Sequence, residues 1–296
     1  LHRVDGCDFD IAVFTNFSED HISEHEHPNM EDYFNSKLKL MEMSKIGFIN
    51  SDDFKVSKIK KLLPNKDIKS YGIDNEADLI AKDITITNSS VDFKVKIGNK
   101  NERIKTGIPG RFSVYNSLAA ISVACKLGAD AEQIKEALLS VRVPGRSELV
   151  DNKKGLTIMI DYAHSPESLQ SILSAVKSYT RGNVISVFGC GGDRDKGKRP
   201  IMGQISASIA DFTIITSDNP RTEDPEQIVQ EIEIGAKKTK GKYIVITDRT
   251  EAIKYAIQMA TKNDIIVLAG KGHETYQEIN GEKHHYDERE IIKEVI

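Results

Sequence analysis

Asn183-Val-Ile-Ser-Val-Phe-Gly-Cys-Gly-Gly-Asp-Arg-Asp-Lys-Gly-Lys-Arg-Pro200 is an apolar run, then a glycine-rich charged loop, then a proline. Proline suits the first turn of a helix, where no backbone donor is needed. A strand apolar throughout must be covered on both faces. The same pattern repeats on either side. Apolar runs at Leu156–Asp161, Phe212–Thr216, Tyr243–Thr247 and Asp264–Ala269 alternate with helical stretches near Pro166–Tyr179, Pro200–Ala210, Pro225–Lys238 and Thr250–Thr261. This alternation predicts a parallel, Rossmann-like α/β sheet, with ligands at the carboxyl ends of its strands.

The first half is less regular. Short buried strands are expected at Val13–Asn16 and Ile46–Asn50, flanking a helix over Met30–Met43. Period-two alternation through Ile84–Thr87 and Val91–Ile97, a turn at Gly98–Asn101 and then Glu102–Lys105 predict an antiparallel hairpin. Helices are expected near Val114–Leu127 and Ala131–Val141, and Val143-Pro-Gly-Arg146 reads as the linker between two domains.

The 296 residues carry 41 Lys plus Arg against 45 Asp plus Glu, a formal charge of −4. That balance excludes a generally basic nucleic-acid surface. With 39% hydrophobic and 29% charged residues the chain reads as globular. No apolar run approaches the roughly 18 residues of a membrane helix. Cys7, Cys125 and Cys190 are scattered and form no CxxC, so a reducing cytoplasm is expected. The opening Leu1-His2-Arg3-Val4-Asp5 has neither initiator Met nor signal-peptide pattern, which suggests a piece of something longer.

Three polar loops carry candidate chemistry. Gly192 to Lys198 fits G-x-x-x-x-G-K, but Arg199 and Pro200 stand where a P-loop needs Ser or Thr. Arg194 likewise occupies the third glycine of the dinucleotide fingerprint. The loop therefore offers only backbone N–H groups to an anion, or is a tight turn with solvated charges. Asp218-Asn-Pro-Arg221 sets a carboxylate and a guanidinium fork at the next strand end, which suits a zwitterionic amino acid as well as a plain Asx turn. Gly270-Lys-Gly-His-Glu274 adds an acid able to accept from an ammonium group. These loops follow three strands of one sheet and should meet at one edge. Elsewhere His21, His25 and His27 suit either a metal or a solvated loop, and Lys37 is by default a surface lysine. Asp161-Tyr-Ala-His164 offers a carboxylate and an imidazole but no nucleophile.

Taken in order, Phe14–His21, Met30–Lys37, Gly110–Asn116, Pro144–Arg146, Asp161–His164, Phe188–Pro200, Asp218–Arg221 and Ala269–Glu274 resemble the motifs of the Mur ligases. These are ATP-dependent amino-acid-adding enzymes of peptidoglycan precursor synthesis. The resemblance spans nearly the whole chain. It implies the remainder of a central ATPase α/β domain over 1–145, without its P-loop. A Rossmann-like, amino-acid-binding C-terminal domain with a mainly parallel sheet would follow over 146–296. It further implies addition of meso-2,6-diaminopimelate to UDP-MurNAc-L-Ala-D-Glu through an acyl phosphate, with ATP as substrate and Mg2+ as cofactor. The expected context is a bacterial cytoplasmic monomer, with no nucleic-acid partner or membrane span, and this piece is expected to be inactive alone.

Residue by residue, the resemblance implies that Lys37 is carbamylated and, with His21, binds magnesium, a modification that suits a buried lysine. Arg3 and His2 match the UDP-sugar stretch, while Asn116, Arg146, Asp161 and His164 match ATP-binding positions. Arg194, Asp218, Asn219, Pro220, Arg221, Gly270 and Glu274 match the diaminopimelate pocket. Arg194 and Arg221 suit the distal carboxylate that L-lysine lacks, and Asp218 and Glu274 suit the ammonium. A lysine-adding site would leave Arg221 desolvated and unpaired at roughly 1–3 kcal/mol or more. The lysine-adding homologue, a folylpolyglutamate synthase and a non-catalytic binding module are the competing readings.

Overall fold

The computed structural model describes residues 4, 6–17 and 27–296. They form two compact units, the first ending at Val141 and the second running from Arg142 to Ile296 together with the short segments Thr87–Ser89 and Ile108–Gly110.

In the first unit β1 (Phe9–Phe14), α1 (Met30–Met43), β2 (Ser44–Asn50), α2 (Ile59–Leu62), β3 (Asp67–Gly72) and β4 (Leu79–Ile80) build a parallel sheet in the order β1-β2-β3-β4. The first strand starts at Phe9 rather than Val13, because pairing with β2 carries it back through a half-polar stretch. Asn29 caps α1 by accepting from the Asp32 N–H. Tyr33, Leu38 and Met41 of that helix are buried with Ile49, Val56 and Ile59. β5 (Lys82–Ile86), β6 (Val91–Ile97) and β7 (Lys100–Thr106) make a three-stranded antiparallel sheet where only a hairpin was expected. Its turn is two residues, Gly98-Asn99, and β5 joins through an irregular register that periodicity does not announce. α3 (Arg111–Lys126) buries Val114, Leu118 and Ile121 with Phe48, Tyr71, Phe93 and Ile104 of the two sheets. α4 (Ala131–Ser140) follows a capping box between Asp130 and Gln133.

The second unit alternates as the sequence predicts: β8 (Glu148–Leu149), β9 (Thr157–Asp161), α5 (Pro166–Tyr179), β10 (Val184–Phe188), α6 (Lys198–Ile209), β11 (Phe212–Ile215), α7 (Pro225–Ala236), β12 (Tyr243–Val245), α8 (Arg249–Met259) and β13 (Ile265–Ala269). The sheet order is β12-β11-β10-β13-β9-β8, parallel except at the β8 edge. Pro166 and Pro225 sit in first turns behind the caps Ser165 and Asp224. α8 packs against Ile158, Ile185, Ile214, Ile266 and Leu268. On the opposite face Ser206 of α6 donates to Ser186 Oγ and shares a bond with Thr213 Oγ1. Beyond β13, the hairpin β14 (Tyr276–Ile279) and β15 (Glu282–His285) turns over Asn280-Gly281, both with positive φ (+49° and +81°). Asn-Gly favours such a turn. α9 (Glu288–Val295) follows, and Ile292 joins the α8 face.

Candidate functional site

The ends of β9, β10, β11 and β13 lie side by side, so the loops after them meet. The Thr216 N–H donates to Phe188 O at 3.0 Å, the Gly192 N–H to Asn219 O at 2.9 Å, and the Gly270 N–H to Asp161 O at 3.0 Å. The glycines permit this crowding. A Cβ on Gly192 would stand 1.9 Å from Pro220 O, and one on Gly270, where φ is +117°, would stand 2.5 Å from Asp218 Oδ2.

At the centre is a residue the sequence reading passed over. The Lys271 side chain is wholly buried, and its Nζ lies 3.0 Å from Asn219 Oδ1, 3.4 Å from Glu274 Oε2 and 3.6 Å from Asp218 Oδ1. Asn219 Nδ2 donates to Glu274 Oε2 at 2.9 Å. Asp218 and Glu274 are thus not a free pair awaiting an ammonium group, because an internal ammonium already stands between them. An ammonium on a flexible stem reads as surface in sequence, and only the apolar strand before it hinted at burial.

Arg221 has a φ of +51° and is stapled to the hairpin: its N–H donates to Glu278 O at 3.0 Å, and the Asn280 N–H donates to its carbonyl at 2.8 Å. Its Nε donates to Glu278 Oε2 at 3.1 Å and its Nη1 to Gly192 O at 2.7 Å. The expectation that Arg221 stays unpaired without a substrate carboxylate is therefore corrected, since Glu278 is its counter-ion. Nη2 has no hydrogen-bond partner among the described residues, and the residue lines a cleft of 780 Å³ together with Gln277 and Tyr286. Gln277 Nε2 donates to Asp218 O and the Glu278 N–H to Asn219 Oδ1, so the hairpin grips the whole 218–221 loop.

Two buried arginines brace this edge. Arg199, noted in the sequence only for breaking a P-loop, donates to both oxygens of Glu223, to Glu231 and to Gly191 O. Its bonds, with help from the Asp193 N–H, hold the Glu223 carboxyl down at about 2. Such a group adds stability that is complete above the unfolded value near 4.5 and is lost as pH falls toward 2. The expected result is that Glu223→Gln melts below the parent by a constant margin above about pH 5, and that the two melting curves converge near pH 2. A margin unchanged down to pH 2 contradicts the assignment. Arg249, the second buried arginine, donates to Glu288, Ser217 O and Ala269 O.

The other candidates are spread more widely. Asp161 is buried and spends its oxygens inside the unit, accepting from the N–H groups of Ser147 and Ala163 at 2.8 and 2.9 Å. Burial raises its carboxyl, and those bonds oppose the shift. His164 is exposed with Nδ1 2.8 Å from Tyr162 O, and its ring meets Tyr162 at 4.7 Å. The exposed Arg146 lies over the Tyr162 ring at 4.8 Å. Arg194 is exposed and, among the described residues, reaches Asp193 O alone, at 3.4 Å, so the structure does not bring it to the acids. In the first unit Asn116 is exposed on α3. Lys37 is exposed too, with Nζ 4.8 Å over the Tyr33 ring, which corrects the expectation of burial. The core positions of α1 are Tyr33, Leu38 and Met41, and Lys37 falls beside them.

The described residues fit magnesium poorly. Lys37 lines a 290 Å³ pocket whose nearby oxygens come from Thr15, Asn16 and Ser36, all neutral. No group of three His, Cys, Asp or Glu among the described residues could hold a metal ion. His2, Arg3, His21 and His25 lie outside the described residues.

This parallel sheet, with charged side chains gathered at its strand ends, has known counterparts. Residues 1–124 match the Mur ligase middle domain and residues 145–272 the Mur ligase glutamate ligase domain. The chain belongs to the Mur ligase family. Over its whole length it is 50% identical to the UDP-N-acetylmuramoyl-L-alanyl-D-glutamate–2,6-diaminopimelate ligase of Caldanaerobacter subterraneus subsp. tengcongensis, covering 61% of that protein. It is 43% identical over 300 residues to the ligase of the same name from Clostridium botulinum, again covering 61%. A solved structure of such a ligase superposes with a TM-score of 0.70 at 35% identity, over 99% of this chain and 61% of that one. The MurF ligase of Thermotoga maritima in complex with ADP shares the fold at a TM-score of 0.69 and 22% identity, over 92% of this chain and 60% of that one. The chain thus spans about 61% of the length of the curated relatives it matches.

Proposed function

We propose that this chain is the amino-acid-delivering part of an ATP-dependent ligase that adds meso-2,6-diaminopimelate to UDP-MurNAc-L-Ala-D-Glu. The observation that carries the reading is Arg221, fixed by Glu278 and Gly192 with Nη2 left over, on the same loop as Asp218. A guanidinium beside carboxylates matches one ammonium-carboxylate centre of a diamino acid. In this reading Asp218, Asn219, Pro220, Arg221, Gly270 and Glu274 form the amino-acid pocket, and Arg194 reaches it only by moving its exposed side chain.

The chemistry proposed is a two-step condensation. The γ-phosphoryl group of ATP passes to the free carboxylate of the nucleotide-sugar dipeptide, and ADP leaves. The free amine of the diamino acid then attacks the acyl carbon, loses its proton, and the tetrahedral intermediate expels phosphate. The role of the second unit is to hold one end of the diamino acid by paired charges so that the other end presents its amine. Asn116, Arg146, Asp161 and His164 are proposed to meet ATP, and His2 and Arg3 the UDP-sugar. Magnesium would neutralise phosphate charge. The described residues supply no anionic ligand for it at Lys37, so a carbamate there, with His21, would have to do so. The division into 1–145 and 146–296, a cytoplasmic monomer, and inactivity of this chain without the rest of the ligase belong to the same proposal.

The test is phosphate release by the full-length enzyme supplied with ATP, magnesium and UDP-MurNAc-L-Ala-D-Glu, with this chain run in parallel. Release by the longer protein that depends on meso-diaminopimelate is expected. Release with L-lysine instead, or with neither, contradicts the reading.

A further inference from the structure

The buried ammonium of Lys271 has no part in the chemistry above, yet it occupies the middle of the proposed pocket. Its three donors face three acceptors: Asn219 Oδ1, Glu274 Oε2 and Asp218 Oδ1. The rings of Tyr276 and Tyr286 stand 5.8 and 5.6 Å from Nζ. The nearby cations are otherwise spoken for, because Arg221 pairs with Glu278, and Arg249 pairs with Glu288 while donating to Ser217 O and Ala269 O. Two carboxylates against one ammonium leave this triad a single net negative charge. The two acids also differ. Glu274 Oε2 is taken by Asn219 and Lys271, whereas the Asp218 carboxylate has its longer contact to Lys271 and accepts no hydrogen bond from the described residues.

We propose that Lys271 is the positioning residue that sets the charge of the amino-acid pocket. Its ammonium neutralises one of the two carboxylates, so that the pocket takes a single ammonium group, received by Asp218. The same ammonium fixes the Asn219 amide, whose oxygen also accepts from the Glu278 N–H, on the element that holds Arg221. A substrate centre with one ammonium and one carboxylate then enters without leaving a buried charge unmatched. This deepens the proposed function and rests on it.

The test is charge compensation, read as the KM for meso-diaminopimelate in the full-length enzyme. Lys271→Met leaves two carboxylates unopposed, and its KM for diaminopimelate is expected to rise about thirtyfold with the KM for ATP nearly unchanged. Glu274→Gln removes the net charge and is also expected to raise it. The double variant Lys271→Met/Glu274→Gln restores one negative charge, and its KM is expected to return to within about threefold of the parent. A lower KM for diaminopimelate in the double variant than in either single one, with the KM for ATP unchanged in all three, is a result that a merely structural lysine does not give. If Lys271→Met fails to fold, the double variant alone decides: a KM for meso-diaminopimelate within about threefold of the parent supports the proposal, and one raised about tenfold or more with the KM for ATP unchanged overturns it. A double variant whose KM for diaminopimelate is no lower than that of Lys271→Met overturns it. A parent enzyme that shows no diaminopimelate-dependent turnover would instead sink the proposed function.

Discussion

Arg221→Ala is expected to raise the KM for meso-diaminopimelate about a hundredfold in the full-length ligase, while the KM for ATP stays within about twofold of the parent. The size follows from removing a charge-assisted bond to a carboxylate, about 3 kcal/mol, at 1.4 kcal/mol for each factor of ten. The geometry explains why the loss should be selective. Arg221→Ala leaves the half-buried Glu278 without its counter-ion, but the backbone bonds from the Arg221 N–H to Glu278 O and from the Asn280 N–H to Arg221 O keep the β14 hairpin on the loop. Arg221→Lys should recover little, because one point charge cannot serve Glu278 and a substrate carboxylate together. Steady-state kinetics with each substrate varied in turn checks this. Equal loss for ATP and diaminopimelate would remove Arg221 from the pocket.

The largest effect on stability is expected at Arg249. Its side chain is wholly buried, with Nε 2.8 Å from Glu288 Oε1, Nη1 3.2 Å from Ser217 O and Nη2 3.0 Å from Ala269 O. Glu288 is equally buried, and its second oxygen has no partner. Arg249→Met therefore strands a carboxylate and two carbonyls at the ends of β11 and β13. Breaking such a pair by removing one partner costs about 3–5 kcal/mol. Urea unfolding of this chain followed by circular dichroism reads it directly. Arg249→Met/Glu288→Met should regain part of the loss, because the stranded charge goes with it. A single variant within about 1 kcal/mol of the parent contradicts this account of the edge.

The parallel sheet was legible because apolar strands and proline-started helices announce themselves within each segment. So was the meeting of the loops after β10, β11 and β13, which follows from parallel order alone. The antiparallel additions were not. β5 joins β6 through an irregular register, and β8 is two residues long, too short to carry a period. The β14 hairpin did leave a signal, Asn280-Gly281 between short alternating stretches, but it lies beyond the region where the sheet pattern had already closed. Missing it hid Glu278, and with it the counter-ion of Arg221. Lys271, Arg199 and Arg249 were hidden for another reason. A buried cation is defined by partners distant in sequence, such as Glu223 for Arg199 and Glu288 for Arg249, and no local pattern encodes those partners. For Lys37 the family resemblance suggested burial, whereas the α1 core positions at Tyr33, Leu38 and Met41 leave it exposed.

The strand-end pocket of the second unit is proposed to read an amino acid by its ammonium-carboxylate chemistry, with Arg221 answering the carboxylate. The ratio of kcat/KM for meso-diaminopimelate to that for L-lysine, in the full-length enzyme with and without Arg221→Ala, tests it most directly. A ratio of about a thousand or more in the parent, collapsing by at least tenfold in the variant, is the predicted result. A ratio near one in the parent, or one that Arg221→Ala leaves untouched, would contradict it.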